Sequence, residues 1–194
     1  MRAPLCSIDD SDPLTAPLTI DRANQVWALD TTYVPMARGF VYLTAVSDWA
    51  SRKVLAHRVA VTLEACHAVE VLTEAFKRYG APDIVNTDQG SQFTAAEFTD
   101  LVKNRGSQMS MDGRGAWRDN VFVERLWRTV KYEEIYFHAY DSVLEAKTGI
   151  TKHLDWYNRA RPHSSLKTLP GRVRSPRTPD EAYVMLSPAY GLAA

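Results

Sequence analysis

The first regular feature of this chain is a series of strand-forming runs that begins at position 26, after a stretch with no sustained period. Segments 26–34, 40–49 and 53–61 are rich in β-branched and aromatic residues, with short breaks at 35–39 and 50–52. Three such runs in close succession predict an antiparallel meander. The period then changes. Ala65, Val69, Leu72, Phe76 and Tyr79 recur at three- and four-residue spacing, which predicts an amphipathic helix capped by Thr62 and stopped by Gly80 and Pro82. Residues 83–87 read as a short strand entering a turn at Gln89-Gly90-Ser91, 95–103 as a short helix, and 108–111 as another strand. Beyond Asp112-Gly113-Arg114-Gly115, helical patterns cover 120–137 and 142–157, and prolines from Pro162 onward predict an irregular tail. The order is three strands, helix, strand, helix, strand and two helices, a mixed α/β plan around a central five-stranded sheet. It divides into a flexible arm (1–24), a core (25–160) and a basic, proline-containing tail (161–194).

Composition narrows the function classes. At 194 residues, 45% hydrophobic and 24% charged, the chain can bury a core without disulfides or a structural metal. No apolar run reaches the roughly 18–20 residues of a membrane span, and positions 1–12 lack the apolar region of a secretory signal. Two cysteines, Cys6 and Cys66, suit a reducing cytoplasm. The net charge of zero hides an asymmetry. Residues 1–100 hold 8 basic against 13 acidic side chains, and residues 101–194 hold 15 against 10. The stretch 152–177 has 7 basic residues against Asp155 alone. It is either a phosphate-facing surface or a solvated basic tail, and charge does not decide between them.

The acidic residues are placed more tellingly. Asp30 lies mid-strand in Leu29-Asp30-Thr31, where an unpartnered buried carboxylate is costly. Asp88 ends the fourth strand, at the sheet edge where α/β folds commonly place ligands. Glu124 shares a helix face with Arg128, Lys131 and Ile135, opposite Phe122, Leu126 and Val130, with Val123 and Trp127 widening the apolar side. Three carboxylates on a strand, a strand end and a helix suit a hard, oxygen-seeking divalent ion and an in-line phosphoryl displacement. The bland alternatives are a half-exposed strand residue, a turn former and a surface partner of Arg128. There is no Gly-x-Ser-x-Gly elbow, Walker loop or His-Glu-x-x-His site. His57, His67, His138 and His153 lack metal-ligand spacing and read as structural or surface residues.

Six segments in order carry a resemblance: Asn24-Gln25-Val26-Trp27-Ala28-Leu29-Asp30-Thr31-Thr32-Tyr33, Asn86-Thr87-Asp88-Gln89-Gly90-Ser91-Gln92-Phe93, Ser110-Met111-Asp112-Gly113-Arg114-Gly115, Asp119-Asn120-Val121-Phe122-Val123-Glu124-Arg125-Leu126-Trp127, Lys131-Tyr132-Glu133, and Tyr157-Asn158-Arg159-Ala160-Arg161-Pro162-His163. Over residues 18–185 the chain resembles the catalytic core of bacterial insertion-sequence transposases, which are similar to retroviral integrases. The 35 residues between Asp88 and Glu124 are the spacing of that family's D,D(35)E group. The resemblance implies a ribonuclease-H-like fold, two Mg²⁺ or Mn²⁺ ions held by Asp30, Asp88 and Glu124, and DNA strand transfer. It further implies DNA contacts from Lys131 and its neighbour Arg128, and from Gln89, Asn120, Arg161 and His163. A surface pair of Lys131 with Glu134 or Glu124, helix capping by Asn120, and bracing of a helix end by Arg161 and His163 are the alternative roles. The expected partners are element ends, target DNA and further copies of the chain, in a bacterial cytoplasm at the nucleoid. Two departures stand out. Residues 1–24 are too short for the family's end-recognition region, and 167–177 is longer and more basic than its usual link. A catalytically silent DNA-binding fragment and a cellular nuclease on the same fold are the rival readings.

Overall fold

The computed structural model describes residues 20–111, 121–166 and 177–187. Strands β1 (Val26–Pro35), β2 (Phe40–Asp48) and β3 (Val54–Ala60) form the expected meander. Helix α1 (Ala65–Tyr79) crosses to β4 (Ile84–Thr87), followed by the single turn α2 (Ser91–Thr94), α3 (Ala96–Asn104) and β5 (Gln108–Met111). Helix α4 (Val121–Glu133), a 3₁₀ turn (Ile135–Phe137) and α5 (Val143–Arg159) complete the core. The sheet order is β3-β2-β1-β4-β5, antiparallel through the meander and parallel where β4 joins β1 and β5 joins β4. This is the mixed five-stranded, helix-flanked sheet of a ribonuclease-H-like fold.

Strand alternation explains why helices cover both faces. In β1, Val26 and Ala28 point to one side, where they pack with Leu126, Trp127, Val130, Ile150 and Leu154 of α4 and α5. Trp27 and Leu29 point to the other side, against Leu72, Ala75 and Phe76 of α1 and Phe98 and Val102 of α3. A strand buried on both sides must be apolar at nearly every position. Asp30 is the first residue of β1 to break that rule.

Four local expectations change. The N-cap of α1 is Glu64, and the Thr62 hydroxyl instead meets His67 Nε2 at 3.2 Å. The segment read as one helix over 120–137 breaks at Glu134, so Ile135 turns inward and is buried instead of sharing a face with Glu124. The tail is not wholly irregular. It contains a 3₁₀ turn (Ser164–Leu166) and a helix, α6 (Pro179–Leu186), started by a reciprocal capping box between Thr178 and Glu181 with Pro at the first position. Helix α6 docks by burying Ala182 and by a Tyr183 hydroxyl bond to Asn24 Oδ1 at 3.0 Å. No described helix is long and apolar enough to cross a membrane.

Candidate active site

The pairing register brings the first two carboxylates together. Strand β4 pairs with β1 from Val26↔Ile84 through Leu29↔Thr87 and then stops. The next residue on each strand is Asp30 and Asp88. Parallel neighbours lie about 4.8 Å apart, so the two backbones enter the site side by side at the end of the ladder. Each of these two carboxylates is held by N–H donors. Asp30 Oδ1 accepts the Thr31 N–H at 2.7 Å, and Asp30 Oδ2 accepts the Trp127 indole N–H at 2.7 Å. Asp88 Oδ1 accepts the Gly90 N–H at 2.9 Å. A side chain at Gly90 would force Gln92 and Asp88 to shift, because a Cβ there would lie 2.6 Å from Gln92 Nε2 and 2.9 Å from Asp88 Oδ1.

Glu124 sits exposed in the first turn of α4, where the helix dipole favours negative charge. Trp127, one turn on, is buried against the sheet and reaches Asp30. The same helix therefore carries the third carboxylate and the donor that orients the first. Burial pushes the Asp30 carboxyl up to about 6. The Trp127 and Thr31 donors oppose this, and the charges of Asp88 and Glu124 add to it. The three groups thus share one electrostatic neighbourhood. Among the described residues, no three His, Cys, Asp or Glu side chains close into a ready metal cage. The donor set is nonetheless all carboxylate oxygen, as a hard divalent ion requires.

The other candidates separate. Gln89 is exposed beside Asp88, and Lys131 is half-buried on α4. Arg128 is exposed and makes no ion pair with Glu124. Arg161 grips Glu133 with two bonds, at 2.9 and 2.6 Å, which ties the end of α5 to α4. His163 stacks edge-on against Tyr157, and its backbone N–H meets the Arg177 carbonyl at 2.9 Å. Both make the bracing contacts of a helix end. Asn120 lies outside the described residues. The sequence assigned no site role to Trp127. Trp127 reads as core by its apolar neighbours, and only the fold shows its N–H aimed at Asp30.

A mixed 3-2-1-4-5 sheet with carboxylates on β1, at the end of β4 and on a following helix defines the class of ribonuclease-H-like proteins. Comparison with known proteins makes this specific. Two integrase core domain families match the chain, one over residues 20–116 and the other over 105–170. The transposase for insertion sequence element IS904 of Lactococcus lactis is 33% identical over 146 residues, covering 74% of this chain and 58% of the relative. Transposase InsF for insertion sequence IS3A of Escherichia coli is 32% identical, covering 73% and 50%. Among solved structures, the catalytic core of bovine immunodeficiency virus (BIV) integrase superposes with a TM-score of 0.63 at 20% identity, covering 83% of this chain and 94% of that one. The HTLV-2 integrase core solved in complex with magnesium gives 0.54 over 79% and 94%. The chain belongs to the integrase core family of bacterial insertion-sequence transposases, and it spans about half the length of the curated relatives it matches.

Proposed function

We propose that this chain is a DNA strand-transferring core, with Asp30, Asp88 and Glu124 as its catalytic, metal-holding residues. The observation that carries the reading is the β1–β4 register, which sets Asp30 beside Asp88 within electrostatic reach of Glu124. Like charges gathered at a partly buried point call for a cation, and the all-oxygen donor set fits two Mg²⁺ or Mn²⁺ ions. Such ions, when bound, stabilise the charge that develops on the attacking and leaving oxygens of a phosphodiester.

The chain's own contribution is positioning. Thr31 and Trp127 fix the two oxygens of Asp30, and Gly90 fixes one of Asp88, so neither carboxylate must be ordered during the reaction. In the first step water attacks phosphorus in line, one P–O bond forms and one breaks, and a 3′-hydroxyl is released. In the second, that hydroxyl attacks a phosphodiester of target DNA and displaces a new 3′-hydroxyl. Bond types balance across the second step, so no external energy source is needed. Gln89, Lys131 and Arg128 flank the carboxylates and would contact the DNA, with Asn120 assigned the same role. Paired element ends call for at least two copies of the chain, acting at the bacterial nucleoid.

The test uses a branched DNA that mimics a strand-transfer product, incubated with Mn²⁺, Mg²⁺ or EDTA. Metal-dependent cutting and rejoining, abolished by Asp88→Asn, is the expected result. Cutting without joining would identify a nuclease. Bound DNA that is neither cut nor joined under any metal would leave a DNA-binding protein only.

A further inference from the structure

A concave surface of about 540 Å³ opens along α4 beyond Glu124, between α4, the β2–β3 turn and the end of α5. Four guanidinium groups line it, from Arg52, Arg125, Arg128 and Arg161, against the single carboxylate of Glu133. Arg161 is committed to Glu133, and Arg52 Nη1 donates to the Trp49 carbonyl at 2.6 Å. Arg125 and Arg128 are exposed, and among the described residues neither is hydrogen-bonded or ion-paired. Charge of one sign collected in a concavity concentrates the field of its opposite.

Arg52 is pushed down to about 10 by burial; Tyr157 and Asp48 oppose this, and the Arg125 charge adds to it. His163 is pushed down to about 4 by burial, then by Arg161 and Arg52, so at neutral pH it is uncharged. Among the described residues, Arg125 and Arg128 therefore bring positive charge to this lining that no carboxylate pairs.

Its position points to the ligand. Arg128 follows Glu124 by four residues on the same helix face, about 6 Å further along the axis. Each strand of duplex DNA presents a phosphate about every 3.4 Å of its axis, so about two steps separate a phosphate at the carboxylates from one at Arg128. We infer that the cleft walled by Arg52, Arg125, Arg128 and Arg161 seats a backbone phosphate of bound duplex DNA, about two nucleotides from the phosphodiester at the carboxylates. This inference rests on the DNA reading above. It adds a second anchor that sets the register of the duplex without reading its sequence.

The experiment measures binding of the same branched DNA by fluorescence anisotropy. Ca²⁺ supplies an oxygen-seeking ion in place of Mg²⁺ while the DNA stays intact. Arg125→Gln is the variant, because an exposed side chain with no partner among the described residues can be neutralised without disturbing the fold, and unchanged thermal unfolding verifies this. Losing one phosphate contact flattens the plot of log K against log salt by about 0.9, so a fourfold rise in salt costs the variant about 3.5-fold less affinity than it costs the parent. Single neutral methylphosphonates are then scanned along both strands. The expected result is one position, or two adjacent ones, that weakens the parent chain severalfold and has no effect on Arg125→Gln. The inference is overturned if no position loses its effect in the variant, or if Lys77→Gln on α1 gives the same pattern. Cutting in Mn²⁺ is read separately. Coupling without cutting keeps the cleft and removes strand transfer, whereas cutting without coupling does the reverse.

Discussion

Replacing Trp127 with Phe keeps an aromatic ring in the core and removes the indole N–H that reaches Asp30 Oδ2 at 2.7 Å. A hydrogen bond to an ionised carboxylate is worth about 1.5–3 kcal/mol, whereas one to a neutral acceptor is worth about 1. The difference depends on pH in a calculable direction. In the folded chain Asp30 binds its proton at about pH 6, above the ordinary carboxyl value of 3.8. Between those values the folded state holds more protons than the unfolded one. Its contribution to stability is therefore complete below about pH 4 and is lost as pH rises through 6. Without the Trp127 donor, the ionised form is still less favourable and Asp30 titrates higher. Trp127→Phe should accordingly destabilise the metal-free protein at both pH 5 and pH 8, by about 1–2 kcal/mol more at pH 8. Urea unfolding followed by circular dichroism in EDTA at the two pH values measures this. The smaller ring contributes a packing loss that is the same at both and cancels. An equal loss at pH 5 and pH 8 would show that the indole does not support a charged Asp30, and the account of how this carboxylate is held would fall with it.

Three further outcomes follow from other contacts. Gly90→Ala forces a Cβ against Gln92 and Asp88 Oδ1, so we expect a cost of about 1–3 kcal/mol in thermal unfolding and a larger loss of metal-dependent cutting than of DNA binding. Asn158→Ala orphans both backbone groups of Val54, which Asn158 Oδ1 and Nδ2 meet at 2.9 and 2.8 Å; the edge strand should loosen by about 2–4 kcal/mol, read as faster amide exchange in β3. Burial depresses His57 and His153, and burial with the Arg161 and Arg52 charges takes His163 down to about 4. The unfolded chain binds protons that these folded imidazoles refuse, so their contribution to stability falls as pH drops from about 6.5 towards 4, opposite in sign to that of Asp30, and His163→Gln should lose less stability than the parent over that range in a pH series of unfolding curves.

The local grammar of this chain was largely legible because it depends on neighbours a few residues away. The β-branched and aromatic runs in 26–34 and 40–49, and the three- and four-residue spacing ending at Gly80, gave β1, β2 and α1 to within a residue or two. The capping box at Thr178-Pro179-Asp180-Glu181 was equally local, but the surrounding prolines masked it and the tail read as irregular. The order and spacing of Asp30, Asp88 and Glu124 also belong to the sequence, as does the family resemblance they carry.

What only the tertiary structure decided is where those carboxylates meet. Asp30 and Asp88 are 58 positions apart, and nothing local says that β4 inserts in parallel beside β1 with Leu29 opposite Thr87. That register follows from burying β1 on both faces at once, under α4 and α5 on one side and α1 and α3 on the other. The same packing turns Trp127 from an apolar core position into the donor that orients Asp30. It also folds the β2–β3 turn and the end of α5 against α4, so that arginines from three distant segments face one concavity. A sequence specifies each element through short-range sterics and periodicity. A site assembled from several elements exists only once their apolar faces have chosen partners.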